Sequence, residues 1–357
     1  MTASPVPPRD TEFPTLADIH AAALRRLPQN AATYLESGAG TEQTLRANRE
    51  AFSRWVIRPR PMTGVSDPKT NTELLGIALS VPVLTAPFGG DALLDPDGQQ
   101  AVARANAAAG IASIVPEVGS FSYEQVAAAA PAAARIAQLH PYDSFDAVAA
   151  RVKAAGYEAL CVTVDCPIVG FRARNRSARL GLDPVIWSGN VTSDGAPNVA
   201  STFAARVAPP WTWDQLAEAT ARHGLPWIAK GILSAEAAEA AIGAGASAVI
   251  VSNHGGRQVD PAPASLDMLP EVAAQVAGRV PVLLDSGVRT GADVFLALAL
   301  GASAVVIGRL AAYGLAAAGE RGVRRVIELL TEELHILMTL AGVPAIASLS
   351  RDTVAPR

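Results

Sequence analysis

Eight times along the chain a short apolar run, rich in β-branched residues, gives way to a turn and then to an alanine-rich helical pattern. The runs are VPVLTAP (81–87), IASIVP (111–116), RIAQLH (135–140), ALCVTVD (159–165), PWIAK (226–230), AVIVSN (248–253), PVLLDS (281–286) and AVVIGR (304–309). They are continuous rather than alternating, as in parallel strands covered on both faces. Helical patterns follow them at Gly98–Ala109, SYEQVAAAA, SFDAVAARVKAAG, SAEAAEAAIGAG, Leu266–Ala277, GADVFLALALG and a long C-terminal segment. Several end in glycine, which supplies a left-handed C-cap before the next strand. Eight such units in series predict an α/β protein with a (β/α)8 TIM barrel. A doubly wound open sheet is the alternative, but it usually needs fewer units and a different phosphate loop.

Two stretches fall outside the repeat. Residues 14–60, with LADIHAAALRRLP, read as a helical N-terminal extension, and residues 173–225 as a turn-rich insertion after strand 4, lid-like by its place on the top face. The division expected is a flexible N-terminus (1–13), the extension (14–60), the barrel (61–345) and a C-terminal tail (346–357). Half of the residues are hydrophobic, which suits a compact fold, and a net charge of −4 gives no reason to expect nucleic acid or a polybasic membrane contact. The proline-rich start lacks the apolar core of a signal peptide, and no run approaches the ~18 apolar residues of a membrane span. A soluble, cytoplasmic protein is expected. Cys161 and Cys166 form no metal-type cluster and read as reduced thiols.

Barrel enzymes work at the carboxyl ends of their strands, so those ends are where chemistry is sought. Strand 3 ends in Gln138 and His140, and strand 4 carries Thr163 and Asp165, with Arg172 beyond it. Strand 5 ends in Lys230, and strand 6 in Ser252, Asn253 and His254, with Arg257 just past them. Strand 7 ends in Asp285, followed by Gly287 and Arg289, and strand 8 in Gly308 and Arg309. A buried lysine needs an anionic or strongly polar partner, so Lys230 points to a site. His254, ahead of Gly255-Gly256 and Arg257, reads as functional rather than as a core histidine. Asp165 or Arg172 alone is equally well a rim salt bridge, and Gln138 and Thr163 taken singly say little. DSGVRTG (285–291) and the Gly308-Arg309 pair offer backbone amides, helix N-termini and arginines for a phosphate. No G-x-G-x-x-G follows the first strand, which counts against a nicotinamide site.

The motifs SNHGGRQVD, CVTVD, AKGI, LLDSGVRTG and VIGR, together with residues 27–60, resemble the FMN-dependent α-hydroxy acid oxidase and dehydrogenase family. Glycolate oxidase, lactate oxidase, lactate monooxygenase and mandelate dehydrogenase belong to it. The similarity covers nearly the whole chain. The resemblance implies that His254 is the base that takes a proton from the substrate as electrons pass to flavin N5, and that Asp165 stabilises its imidazolium. It implies that Arg257, Arg172 and Tyr34 hold the substrate carboxylate. Lys230 then lies beside the flavin ring, while Pro87, Gln138, Thr163, Ser252 and Asp285 contact its ring or ribityl chain. Gly287, Arg289, Gly308 and Arg309 match the phosphate site.

Departures from the family pattern cluster on the substrate side. The segment after strand 1 reads APFGGDAL, with Phe88 and Gly89. Pro116 stands for a serine, Val118 for a common aromatic residue, and His140 for a tyrosine that helps hold the substrate hydroxyl. The expectation is FMN-dependent oxidation of a 2-hydroxy acid, larger or less usual than glycolate or lactate, to the 2-oxo acid. Oxygen or another acceptor takes the electrons. The alternatives are a non-acid α-hydroxy carbonyl substrate from secondary metabolism and a flavin barrel with non-oxidase chemistry. The resemblance also implies a homo-oligomer, commonly a tetramer.

Overall fold

The computed structural model describes residues 12–178, 184–190 and 210–357. Eight short parallel strands close into a barrel in chain order: Val83–Thr85, Ser113–Val115, Arg135–Leu139, Ala159–Thr163, Trp227–Ile232, Ala248–Val251, Val282–Leu284 and Ala304–Ile307. The eighth pairs back onto the first, with Val306 opposite Leu84. Apart from Gly231, every residue of these strands is buried, which accounts for apolar runs without alternation. The hydrogen-bonded ladders are shorter than the apolar runs. His140, Asp165, Asn253 and Asp285 therefore lie just beyond their strands, on one rim.

Helices cover the barrel where the alanine-rich patterns place them. Gly98–Ala109 ends at Gly110, a C-cap with φ of 66°. Ser122, Thr212 and Thr290 each open a helix with a capping box, their hydroxyls accepting from the N3 amide. Trp213–Ala221 is the barrel's fourth covering helix and falls inside the 173–225 segment. That segment also holds a helix at Ala173–Ser177 and a 3-10 turn at Pro184–Trp187, and residues 191–209 lie outside the described residues.

Three helices precede the barrel: α1 (Leu16–Arg26), α2 (Gln29–Glu36) and α3 (Gln43–Ser53). α1 packs on the C-terminal helix Arg309–Leu340, which breaks at Ala318 and Gly319. Two small pairings were not visible in the pattern. Trp55–Ile57 pairs antiparallel with Val354–Pro356, and Thr72–Leu74 with Ile77–Leu79. The C-terminal tail thus ends as a strand tied to the extension. Of the N-terminal stretch expected to be flexible, residues 1–11 lie outside the described residues. Phe13, however, is buried beneath the Arg321 guanidinium, and its carbonyl accepts from Arg325 at 3.0 Å.

Candidate active site

The sixth strand delivers its charge through a strained turn. His254, Gly255 and Gly256 all have left-handed backbones, with φ of 58°, 65° and 73°. A histidine there is uncommon and marks a residue held in place by its surroundings. At Gly256 a Cβ would lie 2.7 Å from the Leu45 amide, so glycine lets α3 pack directly on the turn. His254 Nδ1 lies 3.3 Å from Asp165 Oδ1. Asp165 is seated by another glycine: at Gly231 (φ 112°) a Cβ would come within 2.5 Å of the Asp165 Cβ. The short Lys-Gly match at 230–231 therefore has a structural cause.

Electrostatics set the two partners apart. The His254 side chain is 27% exposed and borders the clefts at the barrel mouth. Burial lowers its pKa and outweighs the opposing pull of Asp165, so the imidazole is neutral near pH 7. Burial pushes the Asp165 carboxyl up, but the hydrogen bond to His254 and the nearby Lys230 charge outweigh it and lower its pKa. Asp165 Oδ2 is buried with no hydrogen-bond partner among the described residues.

Lys230 is buried, with Nζ 3.2 Å from Asp285 Oδ2 and donating to Ser252 Oγ at 3.2 Å. Burial opposes its charge, yet Asp285 and Asp165 prevail and raise its pKa. The arginines are differently placed. Arg257 donates to the Tyr34 and Ser37 carbonyls at 2.9 and 2.8 Å and lies over the Tyr34 ring. Arg309 donates to the carbonyls of Leu35, Gly255 and Ser37, each at 2.9 Å. Arg172 lies 3.4 Å from the Arg257 carbonyl, and Arg289 donates to that of Val288. Carbonyls orient these guanidiniums without neutralising them. Burial, then Arg172, drives the Arg257 pKa well down, and burial with Arg289 brings Arg309 to about 10. Cations so placed favour anionic ligands.

Two cavities meet at this rim. The first is lined by Arg172, Lys230, Arg257, Arg289 and Arg309 against one carboxylate among the described residues, Asp285. The second is lined by Gln138, His140, Thr163 and Asp165 together with Pro116, Val118, Phe171 and Trp187. Tyr34, Pro87, Gly89, Arg172, Lys230 and His254 border both. Gly287 and Gly308 line the first. Every site residue expected from the sequence thus lines one cavity or the other except Ser252, which is fully buried beneath Lys230 and the His254 amide.

Sequence reasoning missed two residues. Glu117 is a buried carboxylate 2.9 Å from His140 Nδ1. Its signal was an acid directly after a buried strand, the same position that drew notice to Asp165. Trp187 comes from the insertion, where periodicity offers no guide. It stands edge-on to Tyr34 with ring centroids 5.4 Å apart. Gly90 makes room for it, since a Cβ there would lie 2.6 Å from the indole, while one at Gly89 would lie 2.0 Å from the Val118 carbonyl.

Comparison with known proteins decides what this site belongs to. The profile of the family described as FMN-dependent dehydrogenase matches residues 23–356. The chain belongs to that family. It is 40% identical to an L-lactate oxidase of Nostoc sp., with 96% of each chain covered, and 38% identical to glycolate oxidase 1 of Oryza sativa subsp. indica, with 95% of each covered. A crystal structure of mandelate oxidase superposes with a TM-score of 0.88 at 36% identity, covering 97% of this chain and 98% of that one. Like its family, the protein is an FMN-dependent enzyme that oxidises a 2-hydroxy acid to a 2-oxo acid. The first cavity fits the cofactor, because its surplus of cations and the amides at the start of the Arg309–Leu340 helix suit a phosphate. Among the described residues no helix is long and apolar enough to cross a membrane.

Proposed function

We propose that this enzyme oxidises 2-hydroxy acids with side chains larger than those of glycolate and lactate, passing the electrons on to oxygen. The observation that carries the reading is the second cavity. It opens beside His254 and is walled by Pro116, Val118, Phe171 and Trp187, mostly apolar surface with room for a side chain. The mandelate oxidase likeness points the same way, since that enzyme's name specifies an aromatic hydroxy acid.

In this reading Arg257 and Arg172 bind the substrate carboxylate, and Tyr34 closes over it. Lys230, Asp285, Arg289 and Arg309 hold the cofactor, with Pro87, Gln138, Thr163, Gly287 and Gly308 along its surface and Ser252 supporting Lys230 from beneath. Neutral His254 takes a proton from the substrate, and Asp165 stabilises the imidazolium that forms. FMN, when bound, supplies the two-electron acceptor.

The test is anaerobic bleaching of the yellow flavin by a panel running from glycolate and lactate to longer and aromatic 2-hydroxy acids, followed by stopped-flow reoxidation with oxygen. The larger acids are expected to give the higher kcat/KM. A panel on which glycolate or lactate is best overturns the reading of the pocket, and slow reoxidation overturns oxygen as acceptor.

A further inference from the structure

The His254 turn is held from outside the barrel. Asn48, on α3 of the N-terminal extension, and Asn253, the residue before His254, are 2% and 4% exposed. Their side-chain amides bond each other twice: Asn48 Nδ2 donates to Asn253 Oδ1 at 2.9 Å, and Asn253 Nδ2 donates to Asn48 Oδ1 at 2.7 Å. The oxygen and nitrogen of an amide are told apart by their partners, and here backbone groups decide. The Gly256 N–H, 3.0 Å from Asn253 Oδ1, can only donate, and the Pro263 carbonyl, 2.9 Å from Asn253 Nδ2, can only accept. The Ser265 N–H, at 3.3 Å, fixes Asn48 Oδ1 in the same way. Neither side chain ionises, so the arrangement does not depend on a protonation state.

What the pair holds is the turn itself. Asn253 Oδ1 takes the Gly256 N–H across His254 and Gly255, closing a run of three left-handed residues that persists only where its surroundings impose it. Ser286 Oγ braces the other side, accepting from the Asn253 and Gly255 N–H groups at 3.3 and 2.9 Å. Neither Asn48 nor Asn253 lines either cavity, so any effect of Asn48 on the reaction has to pass through the turn. Simple docking of α3 would not need this chemistry, since an apolar side chain fills space as well. A carboxamide both donates and accepts. It also satisfies the first amide of the Ser265–Val276 helix, whose N-cap, Ala264, supplies no side-chain cap.

We propose that Asn48 is a positioning residue for the oxidation: through Asn253 it fixes the His254 turn, so that the N-terminal extension sets the aim of the base. This rests on the reading of His254 as the base. A misplacement of about 1 Å caused by a change far from the chemistry can cost about 100-fold in rate, so a brace that touches neither substrate nor cofactor still governs turnover. Arg257, three residues on, is less exposed to the loss, because its guanidinium has its own anchors at the Tyr34 and Ser37 carbonyls.

The test is anaerobic stopped-flow reduction of the FMN-loaded enzyme by lactate or mandelate, whichever is faster, with rates taken per bound flavin so that loss of folded protein does not register. Asn48→Ala is expected to lower the limiting rate by about 10-fold or more while KM changes by less than about 3-fold. Asn48→Asp keeps the acceptor for Asn253 and Ser265 but loses the donor, and is expected to fall between. Arg54→Met removes the exposed ion pair of α3 with Asp267 without touching the amides, and is expected to keep the full rate. A full limiting rate in Asn48→Ala, a loss confined to KM, or an equal loss in Arg54→Met overturns the proposal. Where Asn48→Ala yields no flavin-bound protein, Asn48→Asp decides, and a full rate there overturns it. His254→Asn, measured beside them, separates the two readings. Fast reduction by that variant overturns His254 as the base and this proposal with it, whereas slow reduction there with full-rate Asn48→Ala overturns this proposal alone.

Discussion

The two sides of the barrel mouth are built on opposite principles. On the side of strands five to eight, charge is abundant and mostly uncompensated: Lys230 has Asp285, but Arg257 and Arg309 are held by backbone carbonyls. On the side of strands one to three, the wall is largely apolar, and the buried Glu117 carboxylate lies 2.9 Å from His140 Nδ1. A site that must hold anions leaves its cations unneutralised, because a resident carboxylate would compete with the ligand. A site that must choose among side chains needs shape and a few oriented polar groups. In the proposed reading the charged side holds the base and most of the anion-binding groups, while the apolar wall meets the substrate side chain.

The strongest way to break that division is to remove the base. His254→Asn is expected to slow substrate-dependent flavin reduction by about 100-fold or more while leaving bound FMN, since a positioned base contributes about 10²–10⁴-fold. Flavin absorbance and stopped-flow reduction measure the two together. Arg257→Met comes next. Losing one partner of a desolvated charge pair costs about 2–5 kcal/mol, so kcat/KM is expected to fall about 30-fold or more, mainly through KM. An Arg257 variant that loses kcat with KM unchanged would mean that this guanidinium does not grip the carboxylate.

Asp165 tests the coupling within the charged side. Asp165→Asn is expected to lower kcat by about 10-fold or more, since the imidazolium formed on proton transfer loses the carboxylate that stabilises it. The pH profile gives a sharper reading. Activity needs neutral His254, so kcat/KM falls as pH drops through the folded-state pKa, and burial places that acid limb below the ordinary histidine value of 6.5. Asp165 opposes the lowering, so its removal should move the limb to still lower pH. Gly231→Ala, whose Cβ would press on Asp165, should reproduce the loss of kcat if seating that carboxylate is what the glycine does.

The same contrast governs how much of the molecule was legible in the chain. Lys230, His254, Asp285 and Arg309 stood out because an ionisable group at the end of a buried apolar strand is costly unless it meets a partner or a ligand there. Their local motifs also carry the geometry, as the glycines after His254 show. The barrel was legible for a similar reason, since two-faced burial writes itself as uninterrupted apolar runs. Trp55–Ile57 and Val354–Pro356 were not, because three-residue strands from opposite ends of the chain leave no periodicity. On the substrate side the sequence showed that Pro116, Val118 and His140 were unusual but not what replaced the usual contacts. Glu117 and His140 are 23 residues apart, and only the pairing of adjacent strands brings them together.

Trp187 offers the finest test, because its expected effect is small and specific. It reaches the cavity from the insertion and packs edge-on against Tyr34, over the space that Gly90 leaves open. If the apolar wall does no more than shape the pocket, Trp187→Ala should leave binding of FMN and the acid limb of the pH profile where they are. It should raise KM several-fold for 2-hydroxy acids with bulky side chains, within the ~0.5–1.5 kcal/mol of an aromatic contact plus some lost burial. Glycolate, which has no side chain to lean on the indole, should be affected least. A uniform loss across the panel would instead show that Trp187 acts through Tyr34 on the carboxylate, and would join the two sides that the present contrast separates.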